Sequence, residues 1–79
     1  MNWIVYILQC KDNTLYTGIT TNLKRRINEH ENNKGAKYTK GRSPLKLMYQ
    51  EICNDKSAAL RREIEIKGMR REGKIGLWG

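Results

Sequence analysis

Val5-Tyr6-Ile7-Leu8-Gln9-Cys10-Lys11-Asp12-Asn13-Thr14-Leu15-Tyr16-Thr17-Gly18, continuing from Ile19 through Arg26 to His30, is the stretch whose reading decides the fold. Trp3, Val5 and Ile7 fall on one parity of a strand, and Ile4, Tyr6 and Leu8 on the other. A strand apolar on both faces belongs in the middle of a sheet, covered on each side. Lys11 to Thr14 is a turn signal, because Asp and Asn accept left-handed backbone and bond to their own turns. Leu15 to Thr20 is β-branched and aromatic, so it is the return strand of a hairpin.

Reading outward, Thr20, Thr21 and Asn22 offer side chains to cap a helix from Leu23 to about Asn32, with Gly35 as its terminator. Residues 35 to 44 form a loop carrying Lys37, Lys40 and Arg42 and closed by Pro44. Leu45 to Cys53 returns to strand character with Leu47, Tyr49 and Ile52 inward. Asn54, Asp55 and Ser57 then cap a second helix from about Ser57 to Met69. The tail, Arg70 to Gly79, is basic and then apolar, and either docks as a short last element or frays. The expected class is α+β: one domain, residues 1 to 79, with a small three-stranded, mainly antiparallel sheet flanked by helices.

Composition narrows the partners. The chain has 79 residues with 16 Lys+Arg against 8 Asp+Glu, a formal charge of +8. That excess on so small a surface favours a polyanion, and nucleic acid comes first. A membrane surface comes second, since no stretch joins a long apolar face to a lysine-rich one. Cys10 and Cys53 are too few for a disulfide framework and lack metal-site spacing, so free thiols in a reducing compartment are expected. The first residues lack a secretory leader pattern, and no window has the length of a membrane span. The expectation is a cytoplasmic monomer with no membrane association and no stable protein partner.

The polar exceptions in the apolar pattern carry the chemistry. On a helical wheel Leu23 and Ile27 face inward, His30 falls almost in line with Leu23, and Arg26 flanks the same arc. The plain structural alternatives are a snorkelling arginine and a satisfied boundary histidine. In the second helix, Ala59 and Ile66 lie on one side of an apolar arc, Leu60 and Ile64 on the other, and Glu63 between them. A carboxylate there is costly unless paired or bound to a cation. An ion pair with Lys67, or water in the space that Ala59 leaves, would explain it; a metal-binding or catalytic carboxylate explains it better. The tyrosines depend on hairpin register: a two-residue turn pairs Gln9 with Tyr16 and separates Tyr6 from Tyr16. A three- or five-residue loop pairs Cys10 with Tyr16 and puts both on one face; Asp12-Asn13-Thr14 suits the longer loop slightly better.

These residues resemble the GIY-YIG endonuclease domain family. Tyr6 and Tyr16 match its two tyrosines, with Tyr16-Thr17-Gly18 standing for the second triplet; Arg26 matches its helix arginine, His30 its His-or-Tyr position, and Glu63 its metal-binding glutamate. The loop at residues 35 to 44 is similar to that of the small stand-alone YhbQ-like (UPF0213) group. The first triplet departs from the pattern, because Ile4 replaces the initial glycine. No residue matches the asparagine that some members carry after the glutamate, and Tyr38 corresponds to a loop histidine of other branches.

The resemblance implies phosphodiester hydrolysis in DNA by water attack with one divalent cation, Mg²⁺ or Mn²⁺, held by Glu63. It implies Arg26 on the non-bridging oxygens, where a planar fork suits phosphate. Tyr6 is expected on the water side and Tyr16 on the phosphate side, with His30 as a proton relay. Lys37, Tyr38, Lys40, Arg42 and Lys46 are the expected backbone-binding residues. The alternatives are a basic nucleic-acid-binding module that kept the fold without catalysis, and a protein-interaction domain.

Overall fold

A computed structural model of the chain describes residues 2–32, 34 and 39–79. The elements run β1 (Trp3–Gln9), β2 (Leu15–Thr20), α1 (Leu23–Glu31), β3 (Lys46–Cys53), α2 (Lys56–Lys67) and α3 (Arg71–Ile75). The sheet has the order β2-β1-β3 and is antiparallel throughout. The doubly apolar β1 therefore is the central strand, and the expected α+β class holds.

The hairpin turn closes with Cys10 N–H donating to Thr14 O at 2.8 Å and Asn13 N–H donating to Cys10 O at 2.9 Å. Asn13 takes φ 67°, the left-handed conformation that a three-residue loop needs at its last position. The loop is thus odd, and Tyr6 and Tyr16 share a face as the longer-loop reading required. The pairing itself differs by two residues: Tyr16 lies opposite Leu8, not Cys10, because the loop closes at Cys10 and Thr14. Tyr6 lies opposite Gly18.

Alternation then sorts the sheet into two faces. Val5 and Ile7 pack with Ala59 and Ile66 of α2, joined by Trp3, Leu15, Ile19, Tyr49 and Cys53. Tyr6, Leu8 and Tyr16 face the other way, toward His30 of α1. The tail docks: α3 brings Leu77 and Trp78 onto the α2 side of the core, and Arg71 Nη1 donates to Asn13 O at 2.6 Å. Asn22 caps α1 through its side chain on Arg25 N–H, and Asp55 caps α2 on Ala58 N–H. Asn32 is the C-cap of α1, while the expected terminator Gly35 lies outside the described residues. The second helix ends at Lys67 with Gly68 as its cap, two residues short of the expected Met69. Cys10 is buried, Cys53 is half-buried, and both are free.

Two core assignments are corrected. Ile52 was expected inward but is 67% exposed. It lies opposite Ile4 on the edge strand, on the face turned away from α2. Leu47 and Tyr49 are partly buried, and a bulge between the pairs Ile7–Tyr49 and Leu8–Leu47 lets these two β3 residues face opposite sides of the sheet. Leu60 and Ile64 were expected to flank the buried arc of α2, yet Ile64 is 69% exposed and Leu60 also reaches solvent. The helix is turned so that Arg62 meets Glu51 on β3 and Glu63 is held at 17% side-chain exposure. Polar groups that need partners took the arc the apolar pattern had offered to leucine and isoleucine.

Ile66→Ala should cost about 2–5 kcal/mol in urea unfolding, the usual range for truncating a buried aliphatic residue. Ile52→Ser should stay within about 0.5 kcal/mol of wild type. Equal losses at the two positions would overturn this assignment of the sheet faces.

Candidate active site

The site starts from β1 and β2. Tyr6 projects from the central strand and is fully buried, across the ladder from Gly18. A Cβ at position 18 would stand 2.5 Å from the Tyr6 hydroxyl oxygen and 3.0 Å from Tyr16 Cε2. The glycine of the Tyr16-Thr17-Gly18 triplet therefore leaves the space into which the Tyr6 phenol extends. Sequence reading had used this residue only as part of a motif; the signal was a glycine inside a strand, which marks a close approach.

α1 supplies His30 and Arg26 above that pair. The Tyr6 hydroxyl lies 2.9 Å from His30 Nε2, and His30 Nδ1 lies 2.8 Å from Thr39 Oγ1. The His30 ring meets Tyr16 edge-on at 5.2 Å between centroids, and the Tyr6 and Tyr16 rings are 6.3 Å apart. His30 is thus a fully buried, hydrogen-bonded hub. Arg26 is about one-third exposed, as a snorkelling side chain is, and its Nη1 donates to Glu29 Oε1 at 3.1 Å. Its charge also acts on Tyr6 and Tyr16.

Burial pushes the Tyr6 phenol up to about 12, with the neighbouring Arg26 opposing that rise and Glu63 adding to it. Burial, reinforced by Arg26, holds His30 below its ordinary value. Glu63 thus lies near enough for its charge to reach Tyr6, although α2 packs on the opposite face of the sheet. Its carboxylate oxygen Oε2 is 3.5 Å from Lys67 Nζ. The i,i+4 ion pair that was an alternative to a metal site is therefore formed. Among the described residues no three His, Cys, Asp or Glu side chains cluster as metal ligands.

Of the expected backbone-binding residues, Lys40, Arg42 and Lys46 are described. Lys37 and Tyr38 lie outside the described residues. Arg42 is engaged structurally, with Nη1 donating to Asp12 Oδ2 at 2.6 Å and to Thr14 Oγ1 at 3.2 Å. Lys40 and Lys46 are exposed, but Lys46 begins β3, across the sheet from Tyr16. A groove of about 350 Å³ instead lies beside Tyr16, lined by Leu15, Tyr16, Thr17, Lys67 and Lys74. Thr17 Oγ1 there is buried and without a hydrogen-bond partner among the described residues. No spacing rule could have joined Lys67 to Lys74, since only the docking of α3 brings them together.

Residues 2–75 match the family model for the GIY-YIG catalytic domain. The chain belongs to the GIY-YIG family. A UPF0213 protein of Desulfotalea psychrophila is 59% identical over 66 residues, covering 82% of this chain and 60% of that relative. Another, from Staphylococcus haemolyticus, is 58% identical over 71 residues, covering 90% of this chain and 87% of that relative. The solution NMR structure of a UPF0213 protein from Bacillus halodurans, 48% identical, superposes with a TM-score of 0.62 over 98% of this chain and 82% of that one. The GIY-YIG assignment suggests a nuclease family and implies nucleic acid as the partner; the UPF0213 names add no activity. Among the described residues no helix of this GIY-YIG domain is long and apolar enough to cross a membrane.

Two measurements check the geometry. Gly18→Ala should destabilise by about 1–3 kcal/mol through overpacking. Adding Tyr6→Phe should relieve that only in part, because Tyr6 Cζ also lies 2.7 Å from the new Cβ. His30 is the one histidine of the chain, with an ordinary value of 6.5 that folding lowers. Below pH 6.5 the unfolded chain takes up a proton the folded one resists, so stability is complete above 6.5 and falls with pH. The urea midpoint should drop between pH 7 and 5, and His30→Gln should flatten that slope.

Proposed function

We propose that this protein is a metal-dependent endonuclease that hydrolyses phosphodiester bonds in DNA. The observation that carries the reading is the convergence of Tyr6, Tyr16, His30 and Arg26 on one side of the sheet, with Glu63 within electrostatic reach of Tyr6. In the reaction, water adds to phosphorus, the bond to the leaving oxygen breaks, and that oxygen takes up a proton.

The donor set fits one Mg²⁺ or Mn²⁺. Glu63 is a hard oxygen ligand kept mostly out of solvent, facing a cation already in the shape of Lys67. A single carboxylate suffices for Mg²⁺, which retains most of its waters. When bound, the ion supplies charge stabilisation at the phosphate and lowers the pKa of nearby water. Arg26 offers its fork to the non-bridging oxygens and stabilises their charge as the phosphorus becomes five-coordinate.

The tyrosine roles are best exchanged relative to the sequence expectation. Tyr6 is wholly buried with a phenol raised to about 12, so it keeps its proton and contacts no bulk water. Tyr16 is half-buried and lines the groove, which suits it to align the attacking water. Lys67 and Lys74 at the same groove would hold the neighbouring phosphates without reading bases. One observation favours the second reading, a binding module without catalysis: the Glu63–Lys67 pair satisfies the carboxylate with no metal at all.

Purified protein with branched, nicked and duplex DNA and Mg²⁺ or Mn²⁺ decides between them. The wild type should cut at least one form, and Arg26→Ala should lower the rate by roughly 10²–10³-fold, as removal of one charge-stabilising donor does. Glu63→Ala should abolish the metal-dependent cleavage. Salt-sensitive retention of DNA with no cleavage under any metal would establish the binding module instead.

A further inference from the structure

Thr39 is fully buried and lies in the loop similar to that of the UPF0213 group, yet none of the five motif residues includes it and the cleavage chemistry above gives it no step. Its Oγ1 stands 2.8 Å from His30 Nδ1, on the opposite side of the ring from the Tyr6 hydroxyl at Nε2. A neutral imidazole carries one N–H, so one of these contacts uses the ring as donor and the other as acceptor.

The two hydroxyls decide which. A phenol is far more acidic than an aliphatic alcohol, so its O–H is the stronger donor and its oxygen the weaker acceptor. Nε2–H donating to the Tyr6 oxygen would use the weaker acceptor and turn the phenol's own proton away from the imidazole, the acceptor 2.9 Å from it. The consistent arrangement places the ring proton on Nδ1, with Thr39 Oγ1 accepting it and the Tyr6 O–H donating to Nε2.

Thr39 is well anchored for such a task. Its carbonyl accepts from Arg42 N–H at 3.1 Å, and the Arg42 carbonyl accepts from Lys11 N–H at 2.8 Å. The Arg42 guanidinium meets Asp12 in the same hairpin turn. The loop bearing Thr39 is thereby tied to the turn that sets the register of Tyr6 and Tyr16. Leu45 N–H, donating to Glu31 Oε1 at 2.8 Å, ties the chain that leaves this loop to the last residue of α1.

We propose that Thr39 is a positioning residue: its hydroxyl oxygen holds His30 as the Nδ1–H tautomer, which turns the Tyr6 O–H onto Nε2. Its effect on cleavage rests on the nuclease reading; the hydrogen-bond arrangement does not. The same contact explains why a buried histidine is tolerated here, since both ring nitrogens find partners.

Because the chain has a single histidine, a long-range ¹H–¹⁵N spectrum of the labelled full chain reads this imidazole alone. Above pH 7.5 the wild type should show a protonated Nδ1 and an unprotonated Nε2. In Thr39→Val a buried Nδ1–H faces a methyl group, and the tautomer ratio should move by on the order of tenfold or more toward Nε2–H. Thr39→Ser should keep the wild-type spectrum. On a cleaved DNA substrate, Thr39→Val should lower kcat with little change in KM, and the serine variant should restore it. A wild-type ring protonated at Nε2, or a valine variant with an unchanged spectrum, would overturn the assignment. Should the valine variant not fold, the wild-type and serine spectra still decide. The expected tautomer in a protein that cuts no DNA would uphold Thr39 and count against the nuclease reading.

Discussion

The cross-strand pair of Tyr6 with Gly18 is the constraint on which the remainder of the molecule depends. It requires an odd hairpin loop, which Asn13 makes possible by accepting left-handed backbone. It also requires the absence of a side chain at position 18, because the Tyr6 hydroxyl occupies the place a Cβ would take. Given both, the phenol crosses the neighbouring strand and reaches His30 rather than solvent. A register slip of one residue would turn every side chain of β2 to the other face. Tyr16 would then enter the α2 core and the aromatic contacts to His30 would be lost.

The opposite layer is governed by charge as much as by apolar area. Glu51 on β3 accepts from Arg62 Nε through both oxygens at 3.1 Å and from the Tyr49 hydroxyl at 2.7 Å. Arg62 also pairs with Glu65 one turn along α2. The hydrogen bond that Tyr49 donates to Glu51 raises its phenol above its ordinary value, with burial adding to the rise. Half-buried charges are costly unless paired, so this network limits how α2 can rotate on the sheet. Ala59 and Ile66 reach the core under that limit, and Leu60 and Ile64 do not. The same rotation carries Glu63 to the sheet-facing side.

Much of this was legible because it is local. The central position of β1 followed from its two apolar parities, and both helix starts from clusters of capping residues that include Asn22 and Asp55, while turn chemistry only leaned toward the odd loop that puts the tyrosines on one face. What was illegible is tertiary. A helical wheel scores Leu60 and Ile64 by hydrophobicity and has no knowledge of Glu51 waiting on β3. Likewise, Arg42 reads as a free cation until the loop folds back onto Asp12, and Lys74 reads as tail until α3 docks. Thr39 gave no signal at all, since a threonine among lysines and glycines looks like solvent-facing loop. Of the candidate site, the five motif residues were named through the family resemblance, by their order and spacing. Exposure, which distinguishes Tyr6 from Tyr16, is a property of the assembled fold.

That distinction bears directly on how the site can work. Folding raises Tyr6 and lowers His30, and both shifts oppose moving the phenol proton onto the imidazole. At rest the buried trio of Tyr6, His30 and Thr39 is therefore electrically neutral, and its hydrogen bonds are directional rather than ionic. A neutral, desolvated cluster of this kind makes a poor base but a rigid support, since low dielectric strengthens each hydrogen bond and penalises any rearrangement. Of the charged groups, Lys67 and Lys74 line the groove beside Tyr16, Arg26 is about one-third exposed, and Glu63 is mostly buried on α2. Catalytic charge stabilisation depends on dipoles and charges that are already oriented before the reaction. The proposed hydrolysis would draw on such an arrangement here, with Tyr6 and His30 inside and two lysines at the groove. Under the proposed function, Tyr16, half-buried and lining the groove, is then the tyrosine whose hydroxyl meets a substrate without being drawn out of the core.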